Sequence, residues 1–183
     1  VSDGSLHEGI NYQNYALTML LPFMVNLERI RGQNLFPENY LRNYVLWRVY
    51  NQLPGQFYPA LDFGDFEHDW GNGYEAQNIL RLIASRYRIG LAEWMAQDLL
   101  KLSARTTSDW DTPWYVFEFL NYDATVAASP PTSLPRSRVF SDQGSLIWRT
   151  GWERDSLVFG LKAGAFGGRF AFNSFVQRKA PWD

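Results

Sequence analysis

At 183 residues, with 46% hydrophobic and 20% charged side chains, the chain has the length of one ordinary domain, or of two small pieces of something larger, and is no disordered tail. It has no cysteine and only two histidines, His7 and His68, which excludes disulfide scaffolds, thiol nucleophiles, cysteine-ligated metals and a three-histidine metal site. A formal net charge of −2 argues against general nucleic-acid binding, and no apolar run approaches the ~20 residues that cross a bilayer.

The first two thirds read as helices. Leu17, Leu20, Leu21, Met24 and Leu27 recur at helical spacing up to Gly32, with Pro22 as a kink or a fresh start. Pro37-Glu38-Asn39 is a fitting first turn for a second helix carrying Leu41, Tyr44, Val45 and Val49 on one face, stopped by Gln52-Leu53-Pro54-Gly55. Residues 56–74 are loop-like. Ile79, Leu80, Ile83 and Tyr87 form a third stripe closed by Gly90, and Leu91, Trp94, Met95, Leu99 and Leu102 a fourth. Successive helical hairpins with short connections build α/α bundles and toroids.

After Asn121 the pattern changes. Residues 127–135, with Pro130, Pro131 and Pro135, read as a stiffened linker. Three short alternating runs follow, Arg138–Phe140, Gly144–Thr150 and Ser156–Lys162, and read as antiparallel strands. Three or four strands are too few to close a sandwich or barrel, so this portion is expected to belong to a longer protein or to pair with a partner supplying the rest. Val1-Ser2-Asp3 is no initiator sequence, which suggests a processed chain or a fragment. The expected class is α+β, divided into a helical segment over 1–126, a linker over 127–135 and a β portion over 136–183.

Charge follows this division. Residues 1–135 carry nine basic and fifteen acidic side chains, and residues 136–179 eight and three, so a −6 front precedes a +5 rear. An anionic ligand is expected to meet the later part, unless the two are merely solvated surfaces of opposite sign. Thirty-one aromatics (8 Trp, 10 Tyr, 13 Phe) exceed what a core of this size needs, and some are expected to line a groove for flat ligands.

The opening Asp3-Gly4-Ser5-Leu6-His7-Glu8-Gly9-Ile10-Asn11-Tyr12 resembles a stretch of the heparinase II/III-like polysaccharide lyases, where Asp-Gly…Glu-Gly-x-x-Tyr opens a toroid helix. Phe63-Gly64-Asp65 is similar to a loop after the next helical pair. Val139–Gly144 resembles the first strand of that family's β-sandwich, and Lys162–Gly168 its glycine turn before a histidine-bearing strand. The resemblance thus implies an incomplete α/α toroid followed by antiparallel β-sandwich strands. One departure stands out: Arg169–Phe175 holds no histidine where the family has His-x-His-x-Asp, so that strand lies further on or this copy is not catalytic.

A lyase of this kind removes the proton α to a uronate carboxylate and expels the 4-linked sugar by β-elimination. The reaction needs a group to neutralise the carboxylate, a base and an acid. The resemblance places the proton-transferring tyrosine at Tyr12, which otherwise simply packs at a helix start. Glu8, one turn before Tyr12, orients a catalytic group or meets sugar hydroxyls, or else complements the helix dipole. His7 is a candidate for the substrate carboxylate, and Asn11, within the same motif, joins the substrate-binding set. His68, between carboxylates, fits a solvated turn better than a metal site. Arg149, Arg154 and Arg169 supply two-donor grips for carboxylate or sulfate, with Arg169, after Gly167-Gly168, preferred. Trp70, Trp110 and Trp114 fall in loop-like stretches, where an indole stacks on a sugar or caps the core.

The expected protein is therefore a secreted or periplasmic lyase of an acidic polysaccharide, without nucleic-acid or membrane partners. It is completed by the remainder of the same protein, in one chain or as a second, and the present segment alone is expected to be inactive. No cofactor is expected within the chain, and a structural zinc or calcium ion is left open for the complete protein. The rivals are an α/α-toroid glycoside hydrolase using paired carboxylates such as Glu8 and Asp65, and a non-catalytic carbohydrate-binding protein.

Overall fold

Ile10, Leu17, Leu21 and Val25 fall on one face of a helical net, and the first helix, α1 (Gly9–Arg31), buries all four. It begins well before the leucine series and runs through Pro22 without a new start. Gly32 ends it in the left-handed conformation, where its N–H donates to Glu28 O. These features come from a computed structural model that describes residues 2–55, 60, 61, 63, 74–102, 112–165, 168, 169, 172 and 173. Among the described residues four more helices follow: α2 (Glu38–Asn51), α3 (Tyr74–Tyr87), α4 (Gly90–Leu102) and α5 (Thr112–Asn121).

The α3–α4 turn differs from the expectation that Gly90 closes α3. Arg88 takes the left-handed backbone (φ 56°), and Gly90 opens α4. A side chain at Gly90 would meet Ala127 O at 2.6 Å, so glycine there makes room for the 127–129 segment, whose Ser129 N–H donates to Gly90 O. Arg81 of α3 pairs with Glu118 of α5 and lies 3.7 Å from Glu93 of α4, both carboxylates being nearly buried. One guanidinium thereby ties three helices together.

Strands β1 (Ser137–Phe140), β2 (Ser145–Arg149) and β3 (Val158–Lys162) form an antiparallel sheet in the order β1-β2-β3. The molecule is thus mixed helix and open antiparallel sheet, of the α+β class. Its outer face carries Val139, Trp148, Phe159 and Leu161, all exposed, with Trp148 directly opposite Phe159.

Helix α2 has two buried faces. Leu41, Tyr44, Val45 and Val49 join Leu17, Leu21, Ile79, Ile83, Met95 and Leu99 in a core among the helices. Trp47 and Tyr50 join Ile10, Phe140 and Ile147 in a second core under the sheet, with Phe140 edge-on to both rings. Between the helices and the sheet, residues 127–135 lie against the molecule: Pro131 is buried, Leu134 packs on both cores, and Pro135 O accepts from the Tyr50 hydroxyl at 2.6 Å.

Burial raises the phenol pKa of Tyr40, Tyr44, Tyr50 and Tyr87, most strongly that of Tyr44, which is fully buried. An unfolded chain gives up these protons near pH 10, before the folded one does. Their contribution to stability is full below that pH and is lost as pH rises through the raised values. Arg149 acts in the opposite sense, because burial lowers its pKa to about 10, but it is one group against four. The midpoint of urea unfolding is expected to fall between about pH 9 and pH 11, less steeply in Tyr44→Phe than in the parent. Parallel declines would exclude Tyr44 as a contributor.

Candidate functional site

Asp-Gly-Ser at positions 3–5 favours a tight turn, and the structure shows how this turn is held. Gly4 has φ 83°, and a side chain there would lie 2.2 Å from the Asn43 backbone, so only glycine fits against α2. Gly4 O accepts from Gln13 Nε2 at 2.6 Å, and the same amide donates to the Tyr40 hydroxyl at 2.7 Å. Asn43 Nδ2 donates to Ser2 O. The Asp3 carboxylate then reaches in two directions. Its Oδ1 accepts from the Ser5 N–H and hydroxyl, and its Oδ2 accepts from Asp142 N–H at 2.8 Å, in the β1–β2 turn.

That turn also holds the Arg169 segment. Asp142 O accepts from Arg169 N–H at 2.6 Å, and Gly144 O from Ala163 N–H at 2.8 Å. Gly168 has φ 83°, and a side chain there would meet Asp142 Oδ2 and Gln143 Nε2 at about 3 Å. Residues 3–5, the 141–144 turn and Gly168-Arg169 are therefore connected by hydrogen bonds.

The residues singled out in the sequence distribute unevenly around this junction. Glu8 is exposed at the position capping α1, and its side chain makes no capping bond. His7 is exposed beside it, Asn11 is half-buried, and Tyr12 is 45% exposed in the first turns of α1. Glu8 and Tyr12 are thus one helical turn apart, both open to solvent. Arg169 is exposed and helical, as are the backbones of Phe172 and Asn173, where the resemblance expects a strand after the glycine turn. Trp70, with Asp65, His68 and Trp110, lies outside the described residues.

Two expectations change. Trp114 is helical, in α5, and half-buried; it lines an open apolar cleft of about 260 Å³ with Pro22, Val25, Pro113 and Phe117. Arg149 is not an exposed anion grip. It is 3% exposed, its Nη1 donates to Tyr50 O at 2.9 Å and Gln52 O at 2.8 Å, and its Nε to Gly151 O at 3.3 Å. The guanidinium also stacks over Trp152, 4.6 Å from the ring centre. Its donors thus serve the carbonyls at the end of α2. Arg154 is exposed.

Asp3, Gln13 and Asp142 are the residues that sequence reasoning missed. A bond spanning 139 positions, from Asp3 to Asp142, has no local signature. Among the described residues no group of three or more His, Cys, Asp or Glu side chains is arranged to hold a metal ion. Among the same residues no helix is long and apolar enough to cross a membrane. No protein-family model matches the chain.

Proposed function

We propose that the protein is a polysaccharide lyase that cleaves an acidic, uronate-containing chain by β-elimination, with Tyr12 transferring the proton. The observation carrying this reading is the position of Tyr12, solvent-accessible one turn after Glu8, in the segment similar to the heparinase II/III-like lyases. In this scheme the substrate carboxylate is met by Arg169, His7 or Asn11, which withdraws charge from the carbon that loses its proton. The phenol oxygen of Tyr12 exchanges a proton with the sugar, and Glu8 orients the ring hydroxyls. Trp70 supplies a stacking surface for a sugar ring.

The α/α toroid and β-sandwich architecture is part of the same proposal, and uncovered apolar faces support it. Helix α1 is apolar on two sides: besides its buried face it exposes Tyr15, Met19, Leu20, Phe23 and Ile30, and α5 exposes Val116, Phe119 and Leu120. A helix apolar all round expects a further layer over it. The outer sheet face of Val139, Trp148, Phe159 and Leu161 expects a second sheet in the same way. The remainder of the same protein, in this chain or a second one, supplies both covers, and the whole acts outside the cytoplasm, secreted or periplasmic.

Incubation of the complete protein with alginate and with heparan sulfate tests the reaction class. Elimination leaves a conjugated double bond that absorbs in the ultraviolet, whereas hydrolysis by a carboxylate pair yields new reducing ends without it. Absence of the ultraviolet product would overturn the lyase assignment. A second reading, a non-catalytic carbohydrate-binding protein, draws on the absence of histidine from Arg169 to Phe175 and on the helical backbone at Arg169, Phe172 and Asn173. It predicts binding without either product.

Arg169→Ala addresses the binding role. A charge-assisted bond to a carboxylate or sulfate contributes ~1.5–3 kcal/mol, so the variant is expected to bind an acidic oligosaccharide roughly ten- to a hundredfold more weakly. The parent's affinity should fall with salt. Equal affinities by calorimetric titration at two salt concentrations would remove Arg169 from the site.

A further inference from the structure

We infer that Asp3 is a positioning residue that holds Arg169 in place relative to the first turn of α1, through the β1–β2 turn. The inference rests on the proposed lyase reading for its consequence and on four hydrogen bonds for its geometry. Residues 2–5 are fixed to the helical part by Gln13 Nε2 on Gly4 O, by Asn43 Nδ2 on Ser2 O and by the close seat of Gly4 on α2. The Oδ2 of Asp3 extends from this fixed base to Asp142 N–H, and the carbonyl of Asp142 takes the N–H of Arg169. Arg169 therefore stands two hydrogen bonds away from the segment that leads directly into His7, Glu8 and Tyr12.

A carboxylate suits this place because both oxygens only accept. Oδ1 is occupied by two donors from Ser5, and Oδ2 by the Asp142 amide. An asparagine has one carbonyl oxygen, so it serves Ser5 or Asp142 but not both. Ser5 orients the carboxylate from within the turn and touches neither Asp142 nor Arg169 through the bonds described. The contact is local, and its loss moves a ligand-facing segment without opening either core.

The consequence is a division between binding and turnover. If Arg169 grips the acidic group of the substrate, loosening its anchor weakens capture far more than it slows the step at Tyr12. Asp3→Ala is expected to raise KM for alginate or heparan sulfate about tenfold, with kcat changed less than about threefold. Asp3→Asn should lie between it and the parent. Adding Arg169→Ala to Asp3→Ala should cost far less than Arg169→Ala costs in the parent, because the anchored group is already displaced.

Hydrogen–deuterium exchange on the complete protein supplies a readout independent of activity. In Asp3→Ala, and in part in Asp3→Asn, the amides of Asp142 and Arg169 should exchange at least about tenfold faster, with amides of α3 and α4 unchanged. Ser5→Ala, which keeps the Asp142 bond, should leave both amides within about twofold of the parent. Unchanged exchange at Asp142 and Arg169 in Asp3→Ala would overturn the inference, as would multiplicative effects of Asp3→Ala and Arg169→Ala on KM. A parent that eliminates neither polysaccharide would overturn the lyase reading alone, and the exchange rates would then decide whether Asp3 anchors the segment.

Discussion

Tyr12→Phe is expected to lower turnover of the uronate polysaccharide by ~10²-fold or more, the scale at which a positioned proton-transfer group contributes. The substitution removes one hydroxyl from a side chain that is 45% exposed and leaves the buried face of α1 intact. The melting temperature should therefore stay within about 1–2 °C of the parent, because surface changes of this kind cost little. A drop in kcat with preserved KM and stability identifies the phenol as part of the reaction. An unchanged kcat assigns Tyr12 to packing, and with it removes the main support for β-elimination. The pairing of an activity loss with an unaltered melt is the essential feature, since a destabilised variant would lose both.

Arg149→Met should destabilise the fold by about 3 kcal/mol. Three backbone carbonyls, of Tyr50, Gln52 and Gly151, take their hydrogen bonds from this one guanidinium. A buried acceptor left unsatisfied costs ~1–3 kcal/mol. Some of that is offset, because the arginine itself is held in the interior at a desolvation cost, shown by a pKa lowered to about 10. Met restores part of the packing against Trp152, so the net loss lies near the lower bound for three acceptors. For a chain of this size the change corresponds to roughly 6–12 °C in melting temperature. An unaltered melt would mean that water takes over all three carbonyls, and would remove Arg149 as the joint between α2 and the sheet.

Much of the architecture was legible in the sequence, for physical reasons that also explain the misses. Apolar spacing placed Leu41, Tyr44, Val45 and Val49 on one face because burial of a stripe is a local property of a helix. The same logic failed at Trp47 and Tyr50, on the other side of α2. Their burial depends on Phe140 and Ile147, some ninety positions later, which no window of sequence contains. Gly90 was assigned to the end of α3 because glycine commonly occupies the left-handed position there. Arg88 does so instead, and Gly90 is small because the chain at Ala127 passes over it. The three strands were legible from alternation, since β2 buries Ser145, Ile147 and Arg149 and turns Trp148 outward.

The site was legible only in part. Tyr12, Glu8 and His7 are exposed, and they stood out in the sequence through a resembling motif rather than through a local pattern of charge. Arg149, Arg154 and Arg169 all read as grips in a β portion, with Arg169 preferred for the glycines before it. Alternation sets Arg149 apart: an odd-numbered position in β2 points inward, and an inward arginine must find acceptors in the interior. Asp3 was invisible because its role depends on the β1–β2 turn closing back over the first residues.

The double face of α2 also bears on how such a protein changes over time. Helical and sheet portions that share one wall are not interchangeable parts. A replacement sheet would have to bring its own counterparts to Trp47 and Tyr50, an inward cation for the carbonyls at the end of α2, and a turn that meets Asp3. Substitutions on one side of α2 shift its axis for the other side, so residues in the two cores are constrained to vary together. A lineage that alters the inner face of the sheet must therefore carry compensating changes in α2.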